Sequence, residues 1–352
     1  MKNLVSVVKK DPFFVFTIFY LIITSIFILN SISASIFPLY YVFILLALLS
    51  FILFVQIDFE VLTLFSPHLY IFSLILLLLP LIIGQVTRGA IRWIPLGPLT
   101  LQPSEIVRPF LLIFFAMYLD SIKKITVPTI AKTLILFGLP VFMILIQPSL
   151  GVAILTVVGY IGVLFASKIN KKYIWLGFIS VLFLIPLSWL FLAPYQKQRV
   201  ISFINPALDP YGGGYNSIQA MISVGSGRLF GRGLGKGIQT QLAFLPEKHT
   251  DFIFAATAEE LGMVGSMILL IGLFLLLFQI IKFIDRARGP VARAYITGVF
   301  LVLFTETMIH IGMNIGIVPI TGVPLPLVSA GGSSLLATMI SLAICISSQP
   351  KV

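Results

Sequence analysis

Long apolar stretches dominate this sequence and limit what the chain can fold into. A helix that crosses the hydrocarbon core of a bilayer needs about 20 mostly apolar residues, and stretches of that length recur throughout the chain. Of its 352 residues 59% are hydrophobic, and the mean hydropathy is +1.11. A soluble domain cannot cover so much apolar surface. The sequence therefore predicts an all-α integral membrane protein, with residues 1–352 forming a single polytopic membrane domain.

Ten transmembrane helices are predicted. The division between the fifth and the sixth rests on Pro148, because proline interrupts the hydrogen-bond ladder of a helix. An even number of spans places both termini on the same side of the membrane. The predicted spans are 12–30, 38–56, 68–86, 104–120, 129–147, 149–167, 173–193, 260–281, 292–312 and 331–348.

The basic residues of the connections predict the orientation. With the N-terminus inside, the inner connections are short and almost purely basic, as at Lys123 and Lys124, whereas the outer cations lie mainly in two longer segments. Both termini are therefore predicted to be cytoplasmic. Residues 194–259 are predicted to form the one long extracytoplasmic loop, and a loop of that length is usually either functional or disordered. Its aromatic and aliphatic residues favour order.

Several functional classes are disfavoured. The net charge of +11 is spread between apolar stretches, so nucleic-acid binding is not expected. The glycines of "GSGRLFGRGLGKG" (225–237) match neither nucleotide-binding pattern. Motifs typical of zinc enzymes and serine hydrolases do not occur in the sequence. Acid–base chemistry and cation-assisted departure of an anion remain.

Asp251 is the strongest candidate for acid–base chemistry. It follows the polar stretch "LPEKHT" (245–250) and enters the apolar "FIFAATA" (252–258), which predicts a position near the membrane surface, partly shielded from water. A partly desolvated carboxylate is a better general base near neutral pH. The alternative is a structural role as the N-cap of a short helix.

Other charged groups are predicted at the same edge of the membrane. Glu105 and Arg108 share a helix face at the head of the fourth span, and they suit either a cavity or a structural ion pair. Glu259 and Glu260 are interpreted as structural, since carboxylates suit the start of a helix. His249 is interpreted as a residue that forms hydrogen bonds within its loop.

A polar stripe marks the ninth span. Glu306, His310 and Asn314 recur at every fourth residue and therefore lie on one helix face. The stripe suits a cavity or a contact with a partner helix, and the sequence gives no basis for choosing between them.

Four long segments resemble the SEDS (shape, elongation, division, sporulation) family of peptidoglycan polymerases, and its elongation branch in particular. The resemblance covers essentially the whole chain. The segments are "GAIRWIPLGPLTLQPSEIVRP" (89–109), "INPALDPYGGGYNSIQAMISVGSGRLFGRGLGKG" (204–237), "LPEKHTDFIFAATAEELGMVG" (245–265) and "GIVPITGVPLPLVSAGGSS" (316–334).

The resemblance implies ten transmembrane helices and a glycosyltransferase of cell elongation and shape that acts at the outer face of the bacterial cytoplasmic membrane. It implies lipid II and the undecaprenyl-pyrophosphate-linked glycan chain as substrates, and a class B penicillin-binding protein as the transpeptidase partner. The essential carboxylate of the family falls on Asp251. The alternative function is a lipid II flippase, but a transporter is expected to show repeats and broken helices near the middle of the membrane.

The implied reaction is an inverting transfer that releases pyrophosphate. Asp251 is expected to act as the general base. The predicted substrate-binding residues are Arg88, Arg92, Glu105, Arg108, Arg199, Lys248 and His249. A divalent cation, Mg²⁺ or Mn²⁺, is an open alternative for stabilising the leaving group.

Two positions depart from the family pattern. Arg108 stands where the family usually has Lys, so the positive charge is kept. Ser149 stands where the family usually has Asp, so a second carboxylate is lost. We expect that carboxylate to be dispensable for the chemistry.

Overall fold

The computed structural model of the chain describes residues 11–87, 90–169, 172, 197, 201–206, 209–210, 212 and 214–350. The described helices fall into two groups, one before and one after a short β-sheet. The first helices are α1 (Pro12–Ile32), α2 (Phe37–Gln56), α3 (Phe59–Leu64) and α4 (Ser66–Ile83). After the sheet follow α5 (Pro103–Ile106), α6 (Arg108–Ser121), α7 (Val127–Ile146), α8 (Leu150–Ala166), α9 (Tyr215–Ser226), α10 (Ile238–Gln241), α11 (Ile253–Asp285), α12 (Gly289–Asn314) and α13 (Gly332–Ser347).

The helical membrane architecture is confirmed. Among the described residues, α1, α2, α4, α7, α11 and α12 are long and apolar enough to cross a membrane, and α8 and α13 are shorter apolar helices. Every predicted span coincides with a described helix except 173–193, which lies outside the described residues. The clearest boundary error is at the eighth span. Its helix, α11, begins at Ile253 instead of 260, and a break at Gly262 leaves Glu259 and Glu260 near the end of the first part of the helix.

Glycines allow α8 and α12 to cross closely at the centre of the molecule. A Cβ atom added to Gly162 would lie 2.8 Å from the Cα atom of Gly298, and one added to Gly159 would lie 2.9 Å from Val302. Small residues at a crossing let two helix backbones approach, and van der Waals packing then holds them together. The α6 helix also packs against this pair.

A small antiparallel sheet was not predicted. Its strands are β1 (Gln85–Thr87), β2 (Ala90–Leu96) and β3 (Leu99–Leu101), in the order β1-β2-β3. Gly97, with φ of 65°, and Pro98 form the two-residue turn between β2 and β3, a connection typical of a tight hairpin. The sheet leads directly into α5 and so fixes the chain just before Glu105.

The α11 helix is broken at Gly262, whose φ of 69° and ψ of −164° are not helical. The break exposes backbone groups, and the glycine-rich segment pairs with them. The amides of Met263 and Val264 donate to the carbonyls of Arg228 and Leu229 at 2.9 and 3.1 Å. The glycine-rich segment 225–237, which matches neither nucleotide-binding pattern, therefore stabilises the break in α11 through backbone hydrogen bonds.

Candidate active site

The loop that carries Asp251 is fixed through its backbone. The carbonyl of His249 accepts a hydrogen bond from the Ala330 amide at 2.9 Å. The carbonyl of Thr250 accepts one from the Ser329 hydroxyl at 2.8 Å. The carbonyl of Asp251 itself accepts one from Asn314 Nδ2 at 3.0 Å. Three consecutive peptide groups are thus tied to the segment before α13 and to the end of α12, which leaves this part of the loop little freedom.

Asn314 joins two helices at this point. Besides the Asp251 carbonyl, its Nδ2 reaches the His310 carbonyl at 2.7 Å, and its Oδ1 accepts from the Ala255 amide at 2.9 Å. That amide is one of those left without an intrahelical partner at the start of α11. Asn314 is fully buried, so each of these bonds is protected from competition by water. The polar stripe of α12 therefore supports the Asp251 loop, a role for Asn314 that its spacing alone did not reveal.

Asp251 is not the N-cap of α11. The helix begins at Ile253, its N-cap is Phe252, and that position makes no side-chain capping bond. The Asp251 side chain is half-buried, between solvent and the protein interior. Its Oδ2 lies 3.5 Å from where a Cβ atom of Gly322 would be. Gly322 has φ of 68°, so its backbone adopts a conformation that favours glycine and leaves room beside the carboxylate.

Glu105, Arg108 and Arg92 form the charged surroundings of Asp251. Glu105 interacts electrostatically with both arginines and with the Asp251 carboxylate. Glu105 and Arg108 are buried, whereas Arg92, on β2, is half-buried. The two buried residues lie on either side of the junction at Val107, where α5 ends and α6 begins. Four charged groups predicted from the sequence are thus brought together.

Arg108 has hydrogen-bonding capacity that the described fold does not use. Its Nε and Nη2 atoms are buried without a hydrogen-bond partner. Glu306 interacts electrostatically with Arg108. Its Oε1 accepts a hydrogen bond from the Ser334 hydroxyl at 3.4 Å, while its Oε2 has no partner among the described residues. Buried polar groups are usually satisfied, and exceptions concentrate at functional sites. Glu306 thus extends the charged cluster inward along the stripe of α12.

Ser149 lies at the edge of the same region. It is buried and accepts a hydrogen bond from Gln102 Nε2 at 3.2 Å. The same amide nitrogen donates to Ser104 at 3.2 Å, and the Gln102 backbone amide donates to Ser333 at 2.8 Å. A neutral hydroxyl network therefore occupies the position at which a carboxylate was expected from the family pattern.

Lys248 and His249 flank the site in a different way. The Lys248 ammonium donates to the carbonyl of Thr240 and stands near the carboxylates of Glu260 and Glu259. Partial burial lowers the pKa of Lys248, and these two carboxylates counteract the shift. His249 Nε2 lies 4.0 Å from a carboxylate oxygen of Glu247. The Lys248 ammonium is thus directed to Thr240 and to the two glutamates of α11.

The two glutamates of α11 are structural, but not for the reason that the sequence suggested. Both are fully buried. Glu259 accepts from the backbone amides of Gln239 and Thr240 at 2.8 and 2.9 Å. Glu260 accepts from Gln241 Nε2 at 2.8 Å and from the Ser31 hydroxyl. They hold α10 and the end of α1 to α11.

The predicted roles of the site residues stay predictions. Arg88 and Arg199 lie outside the described residues. Among the residues that are described, no group of three or more His, Cys, Asp and Glu side chains is placed to hold a metal ion. The divalent cation therefore stays a prediction.

Comparisons with known proteins agree over nearly the whole chain. The model of the FtsW, RodA and SpoVE family, described as cell cycle proteins, matches residues 11–350. The peptidoglycan glycosyltransferase MrdB of Escherichia coli (strain K12) is 41% identical over 286 residues, which cover 80% of this chain and 77% of that protein. The probable peptidoglycan glycosyltransferase FtsW of Pseudoalteromonas translucida is 36% identical over 289 residues, which cover 80% and 72%.

Two solved structures share the fold. One is described by the words "structural coordination of polymerization and crosslinking by a peptidoglycan synthase complex". It has a TM-score of 0.82 and 30% identity, and 96% of each chain is covered. The other, the rod shape determining protein RodA of Thermus thermophilus, has a TM-score of 0.71 and 26% identity, with 95% of this chain and 94% of that one covered.

Proposed function

Because the chain belongs to the FtsW, RodA and SpoVE family of cell cycle proteins, we propose that it is a peptidoglycan glycosyltransferase, which polymerises lipid II into glycan strands. The observation that carries the proposal is the 41% identity, over four fifths of the chain, to a protein named for that activity. The geometry supports it, since Asp251 stands on a fixed loop among Glu105, Arg108 and Arg92.

In the proposed reaction the 4-hydroxyl of an acceptor GlcNAc attacks C1 of a MurNAc that is carried on undecaprenyl pyrophosphate. The C1–oxygen bond to pyrophosphate breaks, and the configuration at C1 is inverted. Asp251 takes the proton of the attacking hydroxyl. A positioned base of this kind contributes about 10²- to 10⁴-fold to a rate, and the ties of residues 249–251 to Ser329, Ala330 and Asn314 provide that positioning.

The leaving pyrophosphate needs positive charge. Arg108 is the best placed of the described cations, since its buried Nε and Nη2 atoms have no protein acceptor and charge stabilisation is strong where water is excluded. Arg92 adds a half-buried charge nearby. Glu105 interacts electrostatically with both arginines. Arg88, Arg199 and Lys248 stay candidates from the sequence, and Lys248 supports the loop through Thr240.

The protein is a multi-pass membrane protein with several apolar helices. We place it in the bacterial cytoplasmic membrane, with ten spans, both termini cytoplasmic, and residues 194–259 and the Asp251 site at the outer face. A class B penicillin-binding protein is the proposed partner. The similarity to a structure described as a complex for polymerization and crosslinking supports this pairing.

The test is polymerisation by the purified full-length chain. Labelled lipid II is supplied in detergent, alone and with a class B penicillin-binding protein, and the products are separated on a gel. We expect glycan strands of many disaccharides. Transfer of lipid II between the leaflets of proteoliposomes, with no glycan product under any condition, would instead establish a flippase, for which the relatives named as glycosyltransferases give no support.

A further inference from the structure

A second polar region lies at the end of α6 remote from the Asp251 site. Arg108 is the first residue of α6 and Ser121 the last, so the two ends of this 14-residue helix are about 20 Å apart. Beyond Ser121 the chain turns into α7, and where the two helices meet lies an open surface cavity of about 370 Å³, whose three lysines are exposed. Nothing in the proposed glycosyl transfer uses it.

The cavity is lined for an anion. Lys123, Lys124 and Lys132 contribute three positive charges. The hydroxyl groups of Tyr118, Ser121 and Thr129 also line the cavity, but they are hydrogen-bonded to neighbouring protein groups, so the lysines carry the attraction for an anion. None of the described residues that line the cavity carries a carboxylate.

Two further contacts bear on the positive charge of the cavity. The carboxylate of Asp120, the acidic residue adjacent to Ser121 in the sequence, lies 3.0 Å from the Lys168 ammonium. The Lys132 ammonium stands over the Tyr118 ring at 5.9 Å. This contact directs the lysine from α7 toward α6, across the opening.

The α7 helix, which lines one side of the cavity, also carries strongly exposed apolar side chains. On α7 the side chains of Val127, Leu134, Ile135 and Phe142 are 81%, 66%, 66% and 61% exposed. In a helix apolar enough to cross a membrane, such side chains face lipid. A molecule with a phosphate group in the cavity and hydrocarbon chains beside α7 would match both surfaces, whereas a free phosphate ion would match only the first.

We propose that this cavity binds the phosphate headgroup of an anionic phospholipid, with the acyl chains lying along α7. Basic pockets at the ends of membrane helices are suited to such headgroups, and each cation near a membrane surface contributes about 1 kcal/mol. The bound lipid would fix the connection between α6 and α7. Since α6 also carries Arg108, the headgroup would stabilise from its far end the helix that positions the proposed pyrophosphate ligand.

The experiment measures lipid binding and does not depend on the glycosyltransferase activity. The full-length protein, purified in detergent and stripped of lipid, is titrated with phosphatidylglycerol or phosphatidylcholine, and bound lipid is counted by native mass spectrometry. Lys132→Gln is compared with Lys282→Gln. The comparison is matched, because the Lys282 ammonium also stands over a ring, that of Phe278 at 4.5 Å, on a helix outside the cavity.

We expect wild-type protein to prefer phosphatidylglycerol. Lys132→Gln should bind it about fivefold more weakly, the equivalent of about 1 kcal/mol, and the combined change of Lys123, Lys124 and Lys132 to Gln should weaken it further. Lys282→Gln should bind as wild type does. Equal losses for Lys132→Gln and Lys282→Gln would overturn the proposal, and so would displacement of the lipid by millimolar inorganic phosphate, which would indicate a site for the free ion.

Discussion

Asp251 and the pair Glu259 and Glu260 are close in sequence but lie in opposite environments. Asp251 is half-buried on a loop whose backbone is tied down on three successive residues. The two glutamates are fully buried, and their own carboxylates receive the hydrogen bonds. At Asp251, other segments of the protein hold the backbone of the chain that carries the carboxylate. At Glu259 and Glu260, the carboxylates themselves hold neighbouring segments in place.

The difference separates a proposed catalytic group from structural ones. A carboxylate that accepts two backbone amides has its proton-accepting oxygens occupied, and replacing it leaves buried donors without partners. A carboxylate on a loop held through its backbone keeps a fixed position. Substitution should therefore remove activity at Asp251 and stability at Glu259 and in the glycine-rich segment.

The largest expected effect is that of Asp251→Asn. The amide cannot accept the proton of the attacking hydroxyl, so we expect polymerisation to fall by about 10²- to 10⁴-fold. The carbonyl of residue 251 still accepts from Asn314, so the thermal unfolding temperature should stay near that of wild type. Initial polymerisation rates and melting curves in the same detergent give both values. Near-normal glycan synthesis would refute the assignment of the base.

A substitution at Gly231 should produce the opposite pattern. Its φ is 78°, and an added Cβ would lie 2.1 Å from the carbonyl oxygen of Glu260. Gly235, with φ of 67° and nothing within 4 Å of such a Cβ, is a matched control for the backbone strain alone. Gly235→Ala should cost about 1 kcal/mol and Gly231→Ala about 2–4 kcal/mol, since the clash adds to the strain. Equal melting temperatures for the two variants would argue that the close packing of the glycine-rich segment against α11 does not stabilise the fold.

Glu259→Gln tests directly whether Glu259 stabilises the fold. One side-chain oxygen becomes an amide that cannot accept from the Gln239 or the Thr240 backbone, so a buried donor loses its partner. We expect a loss of about 1–3 kcal/mol in unfolding free energy. The polymerisation rate per folded molecule should change little. A variant of full stability with a rate several hundredfold lower would show that Glu259 belongs to the chemistry.

The smallest expected effect is that of Ser149→Ala. The serine accepts one hydrogen bond from Gln102, whose Nε2 also reaches Ser104, so the network keeps a second partner. We expect the barrier to rise by less than about 1.4 kcal/mol, or tenfold in rate. Ser149→Asp, which restores the family residue, is the informative companion in the same assay. A loss of several hundredfold in Ser149→Ala at normal expression would mean that the hydroxyl has a larger role.

The sequence by itself determined the helical membrane class and most of the helix positions, because apolar length and composition are local properties of the chain. The small sheet was missed, because its strands are short and follow glycine and proline signals that also suit an irregular connection. The early start of α11 was missed because Glu259 and Glu260 looked like residues of a helix terminus. Their burial depends on Gln239, Thr240 and Ser31, which are distant in sequence.

The candidate site, too, was predicted only in part from the sequence. Asp251, Glu105 and Arg108 stand out in an apolar chain, since a charge near hydrocarbon is costly and calls for a reason. Only the tertiary structure decided that these residues meet, and that Asn314 joins α11 to α12 beside them. The same holds for the cavity between α6 and α7. Its three lysines are plain in the sequence, but an anion site requires them to converge in space, and convergence is a property of packed helices that no local pattern encodes.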